Sequence, residues 1–375
     1  IGGFELFGTV KNLEPGVVLE KYGFVWSIGN EQPDLENDNP IYLGSIDSDT
    51  SFSTQLSDVT PLYNYYVRGF AEIGKDIFYG ETISFFKGDV WRQKPEVPDT
   101  RDGSYFSVVN GKAYIGGGYN AGSKYDLQTY EPKEEPEQDV WAYETPLPFL
   151  CNHGTAFTIE DTLYVVGGND GFGDGFWAYN TMDKTWSERA TFPGGARSWG
   201  VGTAVDGKGY FCLARISNNG PELDEAWRYD PVLNSWMEMP PFPGGHRKQS
   251  VVFSDEDYLY LGFGRGANDL YAFNVTTMTW EEKASIPNSL FLAEEFAAFR
   301  MEDKAYLLTS DPENNFWEYD IPTDSWKQKS DFTGTVIGNP VHFDINGKGY
   351  VGLGGENFSG NGFNWTMWEY IPDLK

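Results

Sequence analysis

The sequence predicts an all-β chain: short sheets repeated around an axis, preceded by a smaller β domain. Three observations carry this. Aromatic residues make up 17% of the 375 residues, and 44 Gly and 21 Pro supply turns at a density foreign to helical bundles and too aromatic for disorder. Tyrosines within one recurring turn–strand pattern, from Tyr114 to Tyr350, fall at intervals of 50, 46, 50, 46 and 44 residues, and a period in this range marks a solenoid or propeller. Trp186, Trp236, Trp280 and Trp326 each stand nine residues after the start of an aromatic triplet of the type Trp177-Ala178-Tyr179.

Residues 1–88 lack this period. Alternation in Tyr22-Gly23-Phe24-Val25-Trp26-Ser27 and in Tyr65-Tyr66-Val67-Arg68-Gly69-Phe70-Ala71 suits half-buried antiparallel strands. Thr60-Pro61, then Tyr65 to Arg68, then Tyr79-Gly80 resemble the last two strands of a fibronectin type III domain. The resemblance implies an immunoglobulin/fibronectin III-like β-sandwich with Tyr65 as corner tyrosine and Trp26 as core tryptophan, a spacer without chemistry of its own. The junction Phe86-Lys87-Gly88-Asp89 is too short for a free linker, so the two domains are expected to touch.

From residue 89 each unit reads as four strands. A first strand follows a Pro-Gly turn. A polar turn such as Asp206-Gly207-Lys208 leads to a second strand ending in small residues, and the aromatic triplet and the spaced Trp mark the third and fourth. Glycine ending the second strand lets backbones crowd near an axis, and the regular Trp and Tyr fill the space between neighbouring sheets. A turn, Tyr, a Gly pair, Trp-x-Tyr and a spaced Trp together resemble the kelch family over residues 89–375. That resemblance implies a six-bladed β-propeller, one blade per Tyr. The last repeat reaches Trp368-Glu369-Tyr370 without a fourth strand, and Asp89-Val90-Trp91-Arg92-Gln93 has the character to supply it. The strand at Trp91 is therefore expected to close the ring by completing the blade of residues 335–371. The first unit departs from the pattern: Trp141-Ala142-Tyr143 is followed nine residues on by Leu150 rather than Trp, as though a strand were missing. The acidic run Glu134 to Asp139 before it reads as a solvated loop rather than a metal site.

Acids outnumber bases 56 to 27, a net charge of −29. Nucleic acid, whose binding draws on Lys and Arg, and anionic membrane surfaces are excluded as partners. No stretch approaches the ~18 apolar residues of a membrane span. Two cysteines, Cys151 and Cys212, fall in different repeats and give no disulfide framework. The chain opens at Ile1 without Met. Its aromatic, acidic two-domain make-up resembles exported glycan-handling proteins of Bacteroidetes-type bacteria, so export to periplasm or cell surface is expected.

Aligning the repeats on Tyr gives candidate site residues. Thirteen positions before each Tyr stand Arg101, Cys151, Arg197, Arg247, Ala293 and Ile337; eleven before stand Gly103, His153, Trp199, Gln249, Glu295 and Asn339. Residues two apart on a strand share a face, so both sets are expected at the mouth of a central channel. Arg101, Arg197 and Arg247 suit bidentate carboxylate recognition, Trp199 suits stacking on a sugar face, and Gln249 and Asn339 suit hydrogen bonding. The alternative is that these arginines simply pair with neighbouring acids.

Among the histidines, His153 and His246 sit near the expected mouth and His342 falls mid-strand; no two have ligand spacing. The kelch-type propeller of galactose oxidase raises copper chemistry, but its Tyr-Cys and paired-His arrangement finds no match. The Asn169–Gly175 loop lacks the glutamate and ligand order of a calcium loop. No metal or cofactor is expected, and neither a nucleophile elbow nor an activated cysteine is visible. The leading reading is a non-catalytic binding protein for a carbohydrate or small anionic ligand. An alternative follows from resemblance to the N-acetylneuraminate epimerases, six-bladed kelch propellers acting on an acidic sugar: Arg197 and Arg247 would hold the carboxylate, with His153 or Glu295 as acid–base. A second alternative is a scaffold for a protein partner.

Overall fold

The structure is a computed structural model. It describes residues 4–372 apart from 58, 60–62, 135–137, 170–172, 217–219, 265, 288–295, 310–314, 330–331, 333, 335–337 and 356–364, and leaves out the side chains of 86 and 87. The chain divides into two compact units, Ile1–Val90 with Ile371–Lys375, and Trp91–Tyr370.

In the N-terminal unit Phe4–Val10 pairs with Thr50–Leu56. A second sheet runs Asn39–Ile46, Leu19–Ile28, Tyr63–Ile73, Asp76–Tyr79, and Ile83–Lys87 also pairs with Tyr63–Ile73. Apolar residues from both sheets share one core: Leu6 and Leu56 from the first meet Phe24, Tyr65 and Val67 from the second. Trp26 packs on buried Tyr65 at 5.7 Å between ring centres. The strand of Tyr65 is followed by two more strands, not one, because Ile83–Lys87 returns to it beyond the Tyr79-Gly80 bend.

Among the described residues of the larger unit there are six four-stranded antiparallel sheets. Their first strands are Tyr105–Val109, Thr155–Ile159, Val201–Val205, Val251–Ser254, Phe296–Met301 and Val341–Ile345. Each first strand touches the next, and the sixth touches the first, so the sheets form a closed ring of blades. The sixth sheet runs Val341–Ile345, Lys348–Gly352, Met367–Ile371, Val90–Lys94: the strand holding Trp91 is its outer member.

Aromatic spacing acts between blades. The indole N–H of Trp186 donates to Thr145 O (2.9 Å), that of Trp236 to Ala190 O (3.1 Å), that of Trp280 to Pro240 O (3.0 Å) and that of Trp326 to Ala284 O (2.6 Å). Each tryptophan thus fastens its fourth strand to the end of the preceding blade. Glycines early in the second strands serve the same packing. A Cβ on Gly209 would lie 2.2 Å from the Phe157 ring and one on Gly349 2.1 Å from the Phe299 ring, so each glycine admits the phenylalanine of the blade before.

The first blade has all four strands. Tyr130 pairs with Trp141 as Tyr179 pairs with Trp186, so Leu127–Glu131 is the third strand and Val140–Glu144 the fourth. The expected gap after Tyr143 is corrected: Trp141 is itself the spaced tryptophan, and Gln128 stands where Trp177 stands in the next blade. The turn between these strands is simply longer. Of its acidic run, Asp139 accepts a hydrogen bond from Tyr130 Oη (2.6 Å) and lies 3.3 Å from Lys94 Nζ, while the exposed Glu134 meets Lys348 at 2.8 Å; residues 135–137 lie outside the described residues.

Candidate functional site

The six first strands surround a central channel enclosing about 430 Å³. Just ahead of the strands, five equivalent residues line its mouth: Gly103, His153, Trp199, Gln249 and Asn339. All five have left-handed backbone, with φ of 64°, 52°, 64°, 58° and 52°. That conformation is free for glycine and tolerable for asparagine, but costs His, Trp and Gln about 1 kcal/mol each. The chain accepts this cost because the turn aims each side chain across the mouth instead of along the blade. Glu295, the sixth member, lies outside the described residues, as do Ala293 and Ile337.

The mouth residues grip one another in a belt. Gly103 lies so close to His153 that a Cβ would stand 2.6 Å from its Nε2. The His153 imidazole stacks on the Trp199 indole, with ring centres 3.7 Å apart and planes inclined by 24°. The Lys248 ammonium lies 4.5 Å from the Trp199 ring centre, a cation–π distance. On the other side of Gly103, Asn339 Nδ2 donates to Asp102 Oδ1 at 2.7 Å. Burial raises the Asp102 carboxyl above its ordinary value, opposed by the bonds from Asn339 and the Gly103 N–H. The open Trp199 platform expected for a sugar is corrected. The imidazole stacked at 3.7 Å covers one face of the indole, and the ammonium also lies over the ring.

The arginine prediction is also corrected. None of Arg101, Arg197 and Arg247 lines the channel. Arg101 Nη1 and Nη2 bond Asp126 at 2.6 and 2.8 Å, with Asp99 also on Nη2 at 2.8 Å. Arg247 holds Asp269 at 2.6 and 3.0 Å, and Arg197 holds Glu225 through Nε and Nη2. Arg101 and Arg247 also bond the Gly117 and Phe263 carbonyls, both at 3.1 Å. The two-residue alternation failed because these positions precede the first strands, and the left-handed backbone of the mouth residue two positions on turns the chain. The arginines point into the blades, buried, with forks already filled.

Deeper along the channel the strand alternation does hold. Six positions before each Tyr, the wall carries Val108, Thr158, Ala204, Ser254, Arg300 and Asp344. Arg300 and Asp344, from neighbouring first strands, were missed by sequence reasoning. Arg300 Nη1 donates to Ser254 O at 3.3 Å, and its Nε is buried without a hydrogen-bond partner among the described residues. Asp344 is reachable from the channel yet enclosed by protein. Burial there pushes its carboxyl up to about 6, while its own backbone N–H and the Arg300 charge pull the other way. His342 also faces the channel, donating from Nδ1 to Ala298 O at 2.6 Å; burial lowers it to about 4.

His246 is largely exposed beside Asp224 at 3.4 Å, away from the channel lining. Cys151 and Cys212 are buried, and burial pushes the Cys212 thiol up to about 12. Among the described residues no group of three or more His, Cys, Asp or Glu could hold a metal ion. No described helix is long and apolar enough to cross a membrane. The Asn169–Gly175 loop is described only outside 170–172.

Residues 150–193 match the Kelch motif. The chain is 33% identical over 122 residues to Kelch-like protein 35 of Mus musculus, covering 32% of this chain and 20% of that protein. It is 46% identical over 66 residues to N-acetylneuraminate epimerase of Haemophilus influenzae (strain PittEE), covering 17% of each. The chain therefore spans a fifth or less of the curated relatives it matches. The solved structure of YjhT superposes with a TM-score of 0.58 at 13% identity, over 73% of this chain and 96% of YjhT. These likenesses concern fold: the chain carries a kelch-type β-propeller.

Proposed function

We propose that the propeller binds a small saccharide inside its channel, with the N-terminal unit as a fibronectin III-like spacer. One observation carries the reading. The channel volume falls within the range of about 300–1,000 Å³ usual for small-molecule sites, and its wall offers amides and ring edges at the mouth and a cation and a carboxyl further in. A sugar needs donors and acceptors on several sides at once. A thermal-shift screen against acidic monosaccharides, uronic acid polymers and neutral glycans tests this, because a ligand of the native state raises its stability by mass action. The expected result is a shift with a monosaccharide that is lost in Trp199→Ala, which removes the centre of the belt. Absence of any shift would overturn the reading in favour of a protein partner.

A second reading, anomer exchange on an acidic sugar, is favoured by the local likeness to N-acetylneuraminate epimerase. The expected Arg197 and Arg247 clamp no longer serves it, since both forks hold acids. Among the described residues, His153 at the mouth and His342 and Asp344 on the wall are the histidine and carboxyl groups facing the channel. Acceleration of mutarotation followed by NMR supports this reading; binding without acceleration leaves the first.

A further inference from the structure

We propose that Arg300 forms an oxyanion subsite at the end of the channel away from the belt, and that Asp344 sets its strength by competing for the same charge. The saccharide proposal supplies the natural occupant, but the subsite itself stands on four observations. Arg300 is the sole Lys or Arg among the described residues lining the channel, whereas Arg101, Arg197 and Arg247 lie off it and are held by acids. Its side chain bonds a carbonyl, at 3.3 Å, leaving terminal fork donors for a ligand while its Nε is buried without a partner among the described residues. Asp344 faces the same cavity at the equivalent position of the next blade. The two carry opposite charge and attract without closing into an ion pair.

An incoming carboxylate meets repulsion from ionised Asp344 and none from the neutral acid. Because burial raises Asp344 to about 6, this change falls in an accessible pH range. The other groups on the neighbouring strands are neutral, paired with acids or apolar. His342, on the same strand, is lowered to about 4 and stays neutral. Lys348 on the adjoining strand is committed to Glu134 and Glu369, and Lys112 of the first blade to Glu131. Phe106 and Val108 face the channel from the remaining neighbour and carry no charge. Tyr260, which feels Arg300, is pushed up well beyond this range by burial and Asp255.

The test is calorimetric titration of the full chain with glucuronate, glucose and acetate at pH 5 and pH 8, for wild type, Arg300→Gln, Arg300→Lys and Asp344→Asn. Wild type should bind glucuronate about tenfold more tightly at pH 5, the effect of one unit charge on an adjacent site. Asp344→Asn should bind it tightly at both pH values, Arg300→Gln should lose the preference for glucuronate over glucose, and Arg300→Lys should keep part of it. Persistence of the pH effect in Asp344→Asn would place it on another group and overturn the proposal. Unchanged glucuronate and acetate affinity in Arg300→Gln, or no anion binding at all, would also overturn it. Arg300-dependent acetate binding with neither sugar bound would sustain the subsite and remove the saccharide reading.

Discussion

Asp126 receives both terminal nitrogens of Arg101, at 2.6 and 2.8 Å, although the two are separated by the whole first hairpin of their blade. The pair locks the turn entering the first strand to the start of the third. Arg101 is 1% exposed, so removing its partner or itself strands a buried charge. Arg101→Met should cost about 3–5 kcal/mol, read as a drop in the denaturant midpoint. Saccharide affinity of the protein that remains folded should not change.

The same pair sets an acid limb. Burial raises Asp126, but the Arg101 hydrogen bonds and charge outweigh it and hold its carboxyl below the ordinary 3.8. A depressed folded-state value contributes stability above the unfolded value that is lost as pH falls through the folded one. Urea midpoints measured between pH 5 and 2 should fall steeply for wild type and less steeply for Arg101→Met.

Gly103→Ala tests the belt. At φ +64° and with a Cβ 2.6 Å from His153 Nε2, alanine must strain its backbone and push the imidazole off Trp199. Left-handed strain alone is worth about 1–3 kcal/mol. The expected outcome is lower stability with a changed Trp199 emission, and weaker ligand binding. Unchanged emission would show that His153 does not depend on Gly103.

Asp344→Asn should stabilise the protein at neutral and alkaline pH. A carboxyl raised to about 6 in the folded state resists ionising there, so folding loses stability as pH climbs from the ordinary 3.8 to about 6 and carries the full penalty above it. The amide removes that penalty. Its thermal midpoint should exceed wild type at pH 8 and equal it below pH 3.8.

Glu369 joins the strands that close the ring. Its carboxylate, 3% exposed at the side chain, accepts from Tyr350 Oη at 2.8 Å and lies 3.5 Å from Lys348 and 3.9 Å from Lys94. Glu369→Gln leaves Lys94 with Asp139 alone and Lys348 with Glu134 alone, in a buried setting, and should cost about 1–3 kcal/mol. Glu134→Gln, which breaks the pair of an 80% exposed carboxylate with Lys348, should change stability by less than about 1 kcal/mol. Equal effects would mean that burial does not govern this network.

The blades were legible because their packing demands large aromatic residues at fixed places. Tyr164, Tyr210 and the spaced Trp186 and Trp236 sit in or against the clusters between sheets, and a residue of that size cannot drift without opening a cavity. The mouth belt was legible from the same alignment, since Gly103, His153, Trp199, Gln249 and Asn339 hold one repeat position. The arginines were misread by carrying strand alternation past the strand's beginning, although their pairing had a signal. Asp126, Glu225 and Asp269 immediately precede the third strands in the blades with Arg101, Arg197 and Arg247, while Gly175, Asn315 and Thr366 do so where Cys151, Ala293 and Ile337 replace arginine. Arg300 and Asp344 escaped notice because they stand mid-strand among Val108, Thr158, Ala204 and Ser254. Only a closed ring shows that this position faces a cavity.

The strand of Trp91 emerges from the ribosome before any other strand of the ring, yet its partner, Met367–Ile371, emerges after all the rest. Five blades can condense as they are made, each on its own local hairpins. The sixth must wait, and Trp91 with it, so an unpaired edge persists through most of synthesis. Pairing between such distant segments is slow and leaves a half-made ring open to the wrong neighbours. The ring therefore becomes cooperative only at its last turn, when the oldest strand is joined to the youngest.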